Sequence, residues 1–220
     1  MAARGPETDL PLFREKRIND PTQALKALAV EAAACTRCPL YKNATRTVFG
    51  EGPANAAMML IGEQPGDQED LTGRPFVGPA GKVLDRALEA AGLERNEVYI
   101  TNAVKHFKNE PRGKRRLHKK PDTSEIDACR WWLDNELEIV QPAVAVALGA
   151  TAARGLMGKA VAISANRGRF IALPGGLQAL ITVHPSYLLR LQEERDKRRE
   201  FDLLVKDLRL AAEAARQARR

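Results

Sequence analysis

Residues 56–66 read Ala-Ala-Met-Met-Leu-Ile-Gly-Glu-Gln-Pro-Gly, six apolar side chains halted by Gly62 and then by Pro65 and Gly66. A short apolar run stopped by glycine and proline predicts a buried strand that opens into a loop. Glu97-Val-Tyr-Ile-Thr-Asn102, Ala143-Val-Ala-Val-Ala-Leu148 and Ala179-Leu-Ile-Thr-Val183 read the same way. Helical spacings lie around and between them. Pro21 opens one (Leu25, Leu28, Ala29, Ala32), and Gly78-Pro79-Ala80-Gly81 precedes a second (Val83, Leu84, Ala87, Leu88) that Gly92 stops. Pro121-Asp122-Thr123 starts a third that reaches Ile139, and a further helix follows Gly149. Strands alternating with helices predict an α/β fold, a three-layer α/β/α sandwich with a central parallel sheet. In such sheets ligands gather beyond the carboxyl ends of the strands. Residues 62–66, 102–106 and 184–186 each directly follow a predicted strand, so one site is expected where they meet.

The chain has 220 residues, enough for one compact domain with a sizeable core. Residues 1–20 are polar and irregular and are expected to form a flexible tail before a single domain, 21–220. No stretch approaches the roughly 20 apolar residues that span a bilayer, and no apolar export segment opens the sequence. A cytoplasmic, monomeric protein without a membrane partner is expected. The net charge is +7, which points to a polyanion. Residues 112–120, Arg-Gly-Lys-Arg-Arg-Leu-His-Lys-Lys, contain no acid, whereas the basic segment from Arg190 alternates with Glu193, Glu194, Asp196 and Glu200 as a solvated helix face does.

Three cysteines with no export signal do not suggest disulfides. Cys35 and Cys38 form a C-x-x-C pair, for which metal binding or redox chemistry is the natural reading. All three histidines, His106, His118 and His184, fall in post-strand segments or the basic run. The loop after Ile61 carries neither the G-x-G-x-x-G nor the P-loop phosphate pattern, and taken alone it reads as an ordinary turn.

Four segments in order change that weighting: Gly62-Glu-Gln-Pro-Gly-Asp-Gln-Glu-Asp, Gly73-Arg-Pro-Phe-Val-Gly-Pro-Ala-Gly81, Thr101-Asn-Ala-Val-Lys105 and His184-Pro-Ser186. Together they resemble the motif series of family-4-type uracil-DNA glycosylases, over about residues 35 to 191. Gln64 and the loop Lys114-Arg-Arg-Leu-His118 resemble the X subclass, which becomes covalently trapped on uracil-containing DNA. The usual family-4 motifs have Ala in place of Gln64 and Cys in place of His106.

The resemblance implies a 4Fe–4S cluster held by Cys35, Cys38, His106 and Cys129, with an imidazole as third ligand as Rieske centres allow. The same donors would also suit zinc, or the thiols would stand unliganded. It further implies that uracil is flipped out of DNA, single strands being favoured, and excised. Phe76 would stack on the base, Asn102 would read its Watson–Crick edge, and His184 would donate to O2 as charge builds there. His118 would attack C1′, with Glu63 stabilising the cation or taking the imidazole proton and Gln64 orienting this group or a water. Gly62 and Asp67 would complete the base pocket. Lys114, Arg115 and Arg116 would contact phosphates, and Ser186 with its neighbours would support the strand at the lesion. Tyr187 and Leu188 both stand open as the side chain that fills the vacated stack. A glycosylase that turns over and a non-catalytic DNA-binding module are the competing readings.

Overall fold

The computed structural model describes residues 20–113 and 115–219. The expected tail lies outside these residues except for Asp20, and so does Lys114. In chain order the elements are α1 (Pro21–Ala33), β1 (Met58–Gly62), α2 (Asp67–Thr72), α3 (Pro79–Ala91), β2 (Tyr99–Asn102), β3 (Asn109–Arg112), β4 (Arg115–His118), α4 (Thr123–Val140), β5 (Val144–Leu148), α5 (Ala150–Met157), α6 (Ile163–Asn166), β6 (Phe170–Ala172), β7 (Gln178–Thr182), α7 (Ser186–Arg190) and α8 (Glu194–Gln217). Asp20 caps α1 by accepting from the Thr22 and Gln23 amides. Asp122 and Glu125 cap α4 reciprocally, each accepting the other's backbone N–H.

The main sheet runs β2-β1-β5-β7-β6. Its pairings from β2 to β7 are parallel, with Gly62 beside Asn102 and Leu148 beside Thr182. β6 alone joins this central parallel sheet antiparallel, at its edge. The reason is the short link from Ala172 to Gln178, since a parallel crossover needs about a dozen residues or more. One correction concerns the basic run, expected as a loop. It is largely an antiparallel hairpin of β3 and β4, pairing Asn109 with His118 and Arg112 with Arg115 around Gly113.

Neighbouring strand residues point to opposite faces, and both faces are covered. Leu60, Ile100, Val146 and Leu180 pack on Leu84 and Leu88 of α3 and on Leu204 and Leu208 of α8. Ile61, Tyr99, Ala147 and Ile181 pack the other way, on Leu133 of α4 and Ala152 of α5. Burying each large aliphatic side chain contributes about 1.5–3 kcal/mol. The three-layer α/β/α sandwich follows, with α1 lying outside on α4 through Leu28, Ala32, Ile126 and Trp132. Among the described residues no helix is long and apolar enough to cross a membrane.

Candidate active site

Where β1, β2, β5 and β7 end, the surface opens into a cavity of about 520 Å³ bounded by Gln64, Asp67, Phe76, Asn102, His118 and His184. A neighbouring cavity of about 300 Å³ is bounded by Glu63, Gln64, His118, Gly149 and Tyr187. The three post-strand segments therefore meet, and the basic hairpin delivers His118 to the same place.

Asn102, the last residue of β2, is buried, and its Oδ1 has no hydrogen-bond partner. A buried acceptor left so is costly unless a ligand donates to it, typically about 1–3 kcal/mol. The end of β2 is held by Lys105, fully buried, whose ammonium donates to the Asn102 carbonyl at 2.7 Å and to Thr101 Oγ1 at 2.7 Å. That charge is met by Glu136 of α4 at 2.5 Å, which also accepts from the Tyr99 hydroxyl at 3.0 Å. A buried pair of this kind is better evidence of fixed geometry than of stability.

Phe76 is buried, with its backbone in the left-handed region at φ 53°. A non-glycine residue held there costs about 1–3 kcal/mol and persists only where its surroundings impose it. Arg95 does so, donating to the carbonyls of Pro75 at 2.6 Å and Phe76 at 3.2 Å. The ring lies 5.7 Å from that of His184, tilted by 33°. Gly62 is needed here because a Cβ would collide with both the Phe76 ring and Asn102 Oδ1.

His184 is half-buried. Its Nδ1 accepts from the Ser186 backbone N–H at 3.2 Å and lies 2.8 Å from Ser186 Oγ, to which Arg190 donates at 3.0 Å. The unprotonated nitrogen is therefore Nδ1, and Nε2–H is left as the donor. Burial, then the nearby Arg190 charge, hold the pKa down to about 4. The ring is thus a neutral donor at physiological pH.

His118 closes β4 and is half exposed, with its ring 6.0 Å from that of Phe107. Gln64 reaches it: the amide nitrogen lies 2.9 Å from His118 Nε2 and also donates to the Lys119 carbonyl at 2.9 Å. The amide orientation is fixed, because Gln64 Oε1 accepts from the Lys108 backbone N–H at 2.9 Å. Gln64 therefore donates to the imidazole, and His118 Nε2 carries the lone pair. Glu63 Oε1 is 3.6 Å from the same nitrogen, while the other Glu63 oxygen accepts from Thr151 at 2.6 Å.

The basic residues divide. Arg116 turns inward to Asp67 at 2.7 Å and Asp70 at 2.5 Å, so its charge docks the hairpin on α2, and Asp67 serves that contact. Arg115 is exposed, and Lys114 lies outside the described residues. On α7, Leu188 is 5% exposed and packs inward, Tyr187 is 38% exposed and Leu189 is 50% exposed at the cavity wall.

A second set of donors lies behind the site. Cys35, Cys38 and Cys129 are buried in one cluster with Trp132, whose indole N–H points at Cys35 Sγ at 3.1 Å. The Lys105 backbone N–H donates to Cys129 Sγ at 3.2 Å. Burial pushes the Cys129 thiol up to about 12 and raises Cys38, with Cys35 adding to the latter. His106 follows Lys105, is buried, and has an Nδ1 without a hydrogen-bond partner. Among the described residues no three such side chains stand close enough to share a single metal ion.

Sequence reasoning missed Thr151, Arg95 and the Lys105–Glu136 pair. Their partners are 88, 20 and 31 residues away, and no local pattern marks them. Only Lys105 carried a signal, as the last residue of the Thr101-Asn-Ala-Val-Lys105 motif.

Residues 49–209 match the model of the Uracil DNA glycosylase superfamily. Over 157 residues the chain is 45% identical to the Type-4 uracil-DNA glycosylase of Thermotoga maritima, covering 71% of this chain and 78% of that protein. The Type-4 uracil-DNA glycosylase of Pyrobaculum aerophilum is 37% identical over 163 residues, 71% of this chain and 80% of that protein. That of Sulfurisphaera tokodaii is 41% identical over 127 residues, 57% and 54%.

Proposed function

The chain belongs to the uracil DNA glycosylase superfamily, and from that premise we propose that it excises uracil from DNA and stays joined to the abasic sugar through His118. The carrying observation is the fixed Gln64 amide 2.9 Å from His118 Nε2, both residues lining the cavity that Asn102 also lines. A turnover enzyme needs no imidazole fastened in this way beside the base pocket.

The steps of this reading use the groups that line the two cavities. A flipped uracil donates N3–H to the unpartnered Asn102 Oδ1, and the Asn102 amide donates to O4. Cytosine reverses that pattern and would leave buried groups unpaired. Phe76 stacks on the base. As the C1′–N1 bond breaks, its electron pair leaves on the uracil, and His184 Nε2–H donates to O2 where the charge collects. The Nε2 lone pair of His118 then gives up the Gln64 N–H and bonds to C1′. The resulting imidazolium carries the positive charge beside the Glu63 carboxylate, which Thr151 holds in place. Of the two side chains left open for the vacated stack, Leu188 is packed inside and Tyr187 is exposed and lines the smaller cavity, which favours Tyr187. Arg115 supplies a phosphate contact. Residues 21–220 form one such domain.

Cys35, Cys38, Cys129 and His106 hold a 4Fe–4S cluster in this reading, supported by three clustered thiols, two N–H groups aimed at sulfur and the vacant His106 Nδ1. The cluster's role is structural, tying α1 to α4 and to the segment that follows Asn102; hydrolytic chemistry needs no electron from it.

The test is incubation with uracil-containing single-stranded DNA followed by a denaturing gel. A band that survives heat and detergent is expected. A cleavable abasic product without that band means turnover, and neither means binding alone.

A further inference from the structure

Thr47 lies between α1 and β1, and its side chain spans two parts of the thiol cluster. Its Oγ1 is 2.8 Å from the carbonyl oxygen of Ala32 and 2.9 Å from Nε2 of His106. A carbonyl only accepts, so the single hydroxyl proton of Thr47 is committed to Ala32. What Thr47 offers His106 is a lone pair, and Nε2 therefore carries the ring proton. In a neutral imidazole the other nitrogen is then unprotonated. That nitrogen, Nδ1, is buried and unpartnered. The backbone keeps the two residues in register, because the Val48 N–H donates to the Lys105 carbonyl at 2.8 Å.

We propose that Thr47 is a positioning residue that selects the His106 tautomer, so that His106 ligates through Nδ1. The proposal rests on the reading that these donors hold iron and sulfide. Two neighbouring contacts agree with it. The residue before His106 already donates its N–H to Cys129 Sγ at 3.2 Å, and Ala32 lies one helical turn before Cys35, whose amide it accepts at 3.0 Å. Thr47 thus joins the end of α1, just before the first two thiols, to the imidazole that stands as third ligand. A ligating histidine normally has its second nitrogen held in this way, and loss of the holder typically costs about 10–100-fold in metal affinity.

The test uses the full chain, produced with histidine labelled with nitrogen-15 at Nδ1 alone or at Nε2 alone and reduced by one electron for pulsed EPR. A directly coordinated nitrogen is expected from the Nδ1 label. Iron release to a chelator should be about tenfold faster in Thr47→Val, which keeps the shape and loses the acceptor, and Thr47→Ser should restore the wild-type rate. Direct coordination by Nε2, or equal release from Thr47→Val and wild type, overturns the proposal. Should Thr47→Val fold poorly by circular dichroism, the labelling and Thr47→Ser still decide it. Protein without iron, or with iron and no nitrogen coupling, overturns instead the cluster reading or the place of His106 in it, and the tautomer proposal with it.

Discussion

The Gln64 amide is clamped between two parts of the chain: its oxygen accepts from the Lys108 N–H at 2.9 Å and its nitrogen meets His118 Nε2 at 2.9 Å. Rotating the amide would break both contacts, so the imidazole is held at one angle. Gln64→Ala should slow adduct formation by about 10–100-fold, the scale of a reacting group displaced by an ångström. Quenched single-turnover samples on a denaturing gel read this directly. An unchanged rate would remove Gln64 from the mechanism.

Replacing the nucleophile and replacing the reader should give different failures. His118→Ala should abolish the heat-stable adduct and leave Phe76, Asn102 and His184 in place, with room for water and some uracil release. Asn102→Ala should lose adduct and release together. Mass spectrometry of a digested adduct should place the sugar on the peptide containing His118; a different peptide would overturn the assignment.

Anaerobically purified protein should contain iron and sulfide. His106→Cys should retain the cluster, since thiolate is the commoner ligand, and His106→Ala should weaken or lose it. Metal analysis that finds zinc and no iron would sink the cluster.

Salt should weaken DNA binding steeply, and Arg115 and Arg116 should differ. Arg115→Ala should flatten the dependence of log K on log salt by about one unit, the value of one phosphate contact. Arg116→Ala should leave that slope nearly unchanged and loosen the hairpin, because its charge is already met by Asp67 and Asp70. Equal slope changes in both variants would show that Arg116 leaves α2 for the DNA.

The His184 ring should titrate near pH 4 by NMR, held down from 6.5 by burial and then by Arg190. A depressed histidine binds its proton less readily folded than unfolded, so stability should fall as pH drops from 6.5 toward 4 and then level off. A midpoint near 6.5 would contradict the neutral-donor role.

The sheet was legible because its strands are short apolar runs buried on both faces, and the runs ending at Gly62, Asn102 and Thr182 mark where the cavity lies. β6 was not, since three half-exposed residues carry no period. The hairpin was hidden for another reason: seven cations between residues 112 and 120, counting His118, read as a solvated loop, and only its docking through Arg116 and Gln64 gives it a shape. The site's histidines and Asn102 were visible as polar residues after strands. The residues that hold Glu63, Phe76 and His106, namely Thr151, Arg95 and Thr47, come from distant segments, and only the three-dimensional packing pairs them.

Among the described residues the hairpin that carries His118 pairs with no strand of the five-stranded sheet. On the proposed mechanism the pocket for the base is thus built into the scaffold, and the group that would capture the sugar is mounted on an accessory arm. A single-use molecule, consumed by its first lesion, and a reusable one would differ in that arm and its two fastenings, Gln64 and Arg116, with the scaffold unaltered.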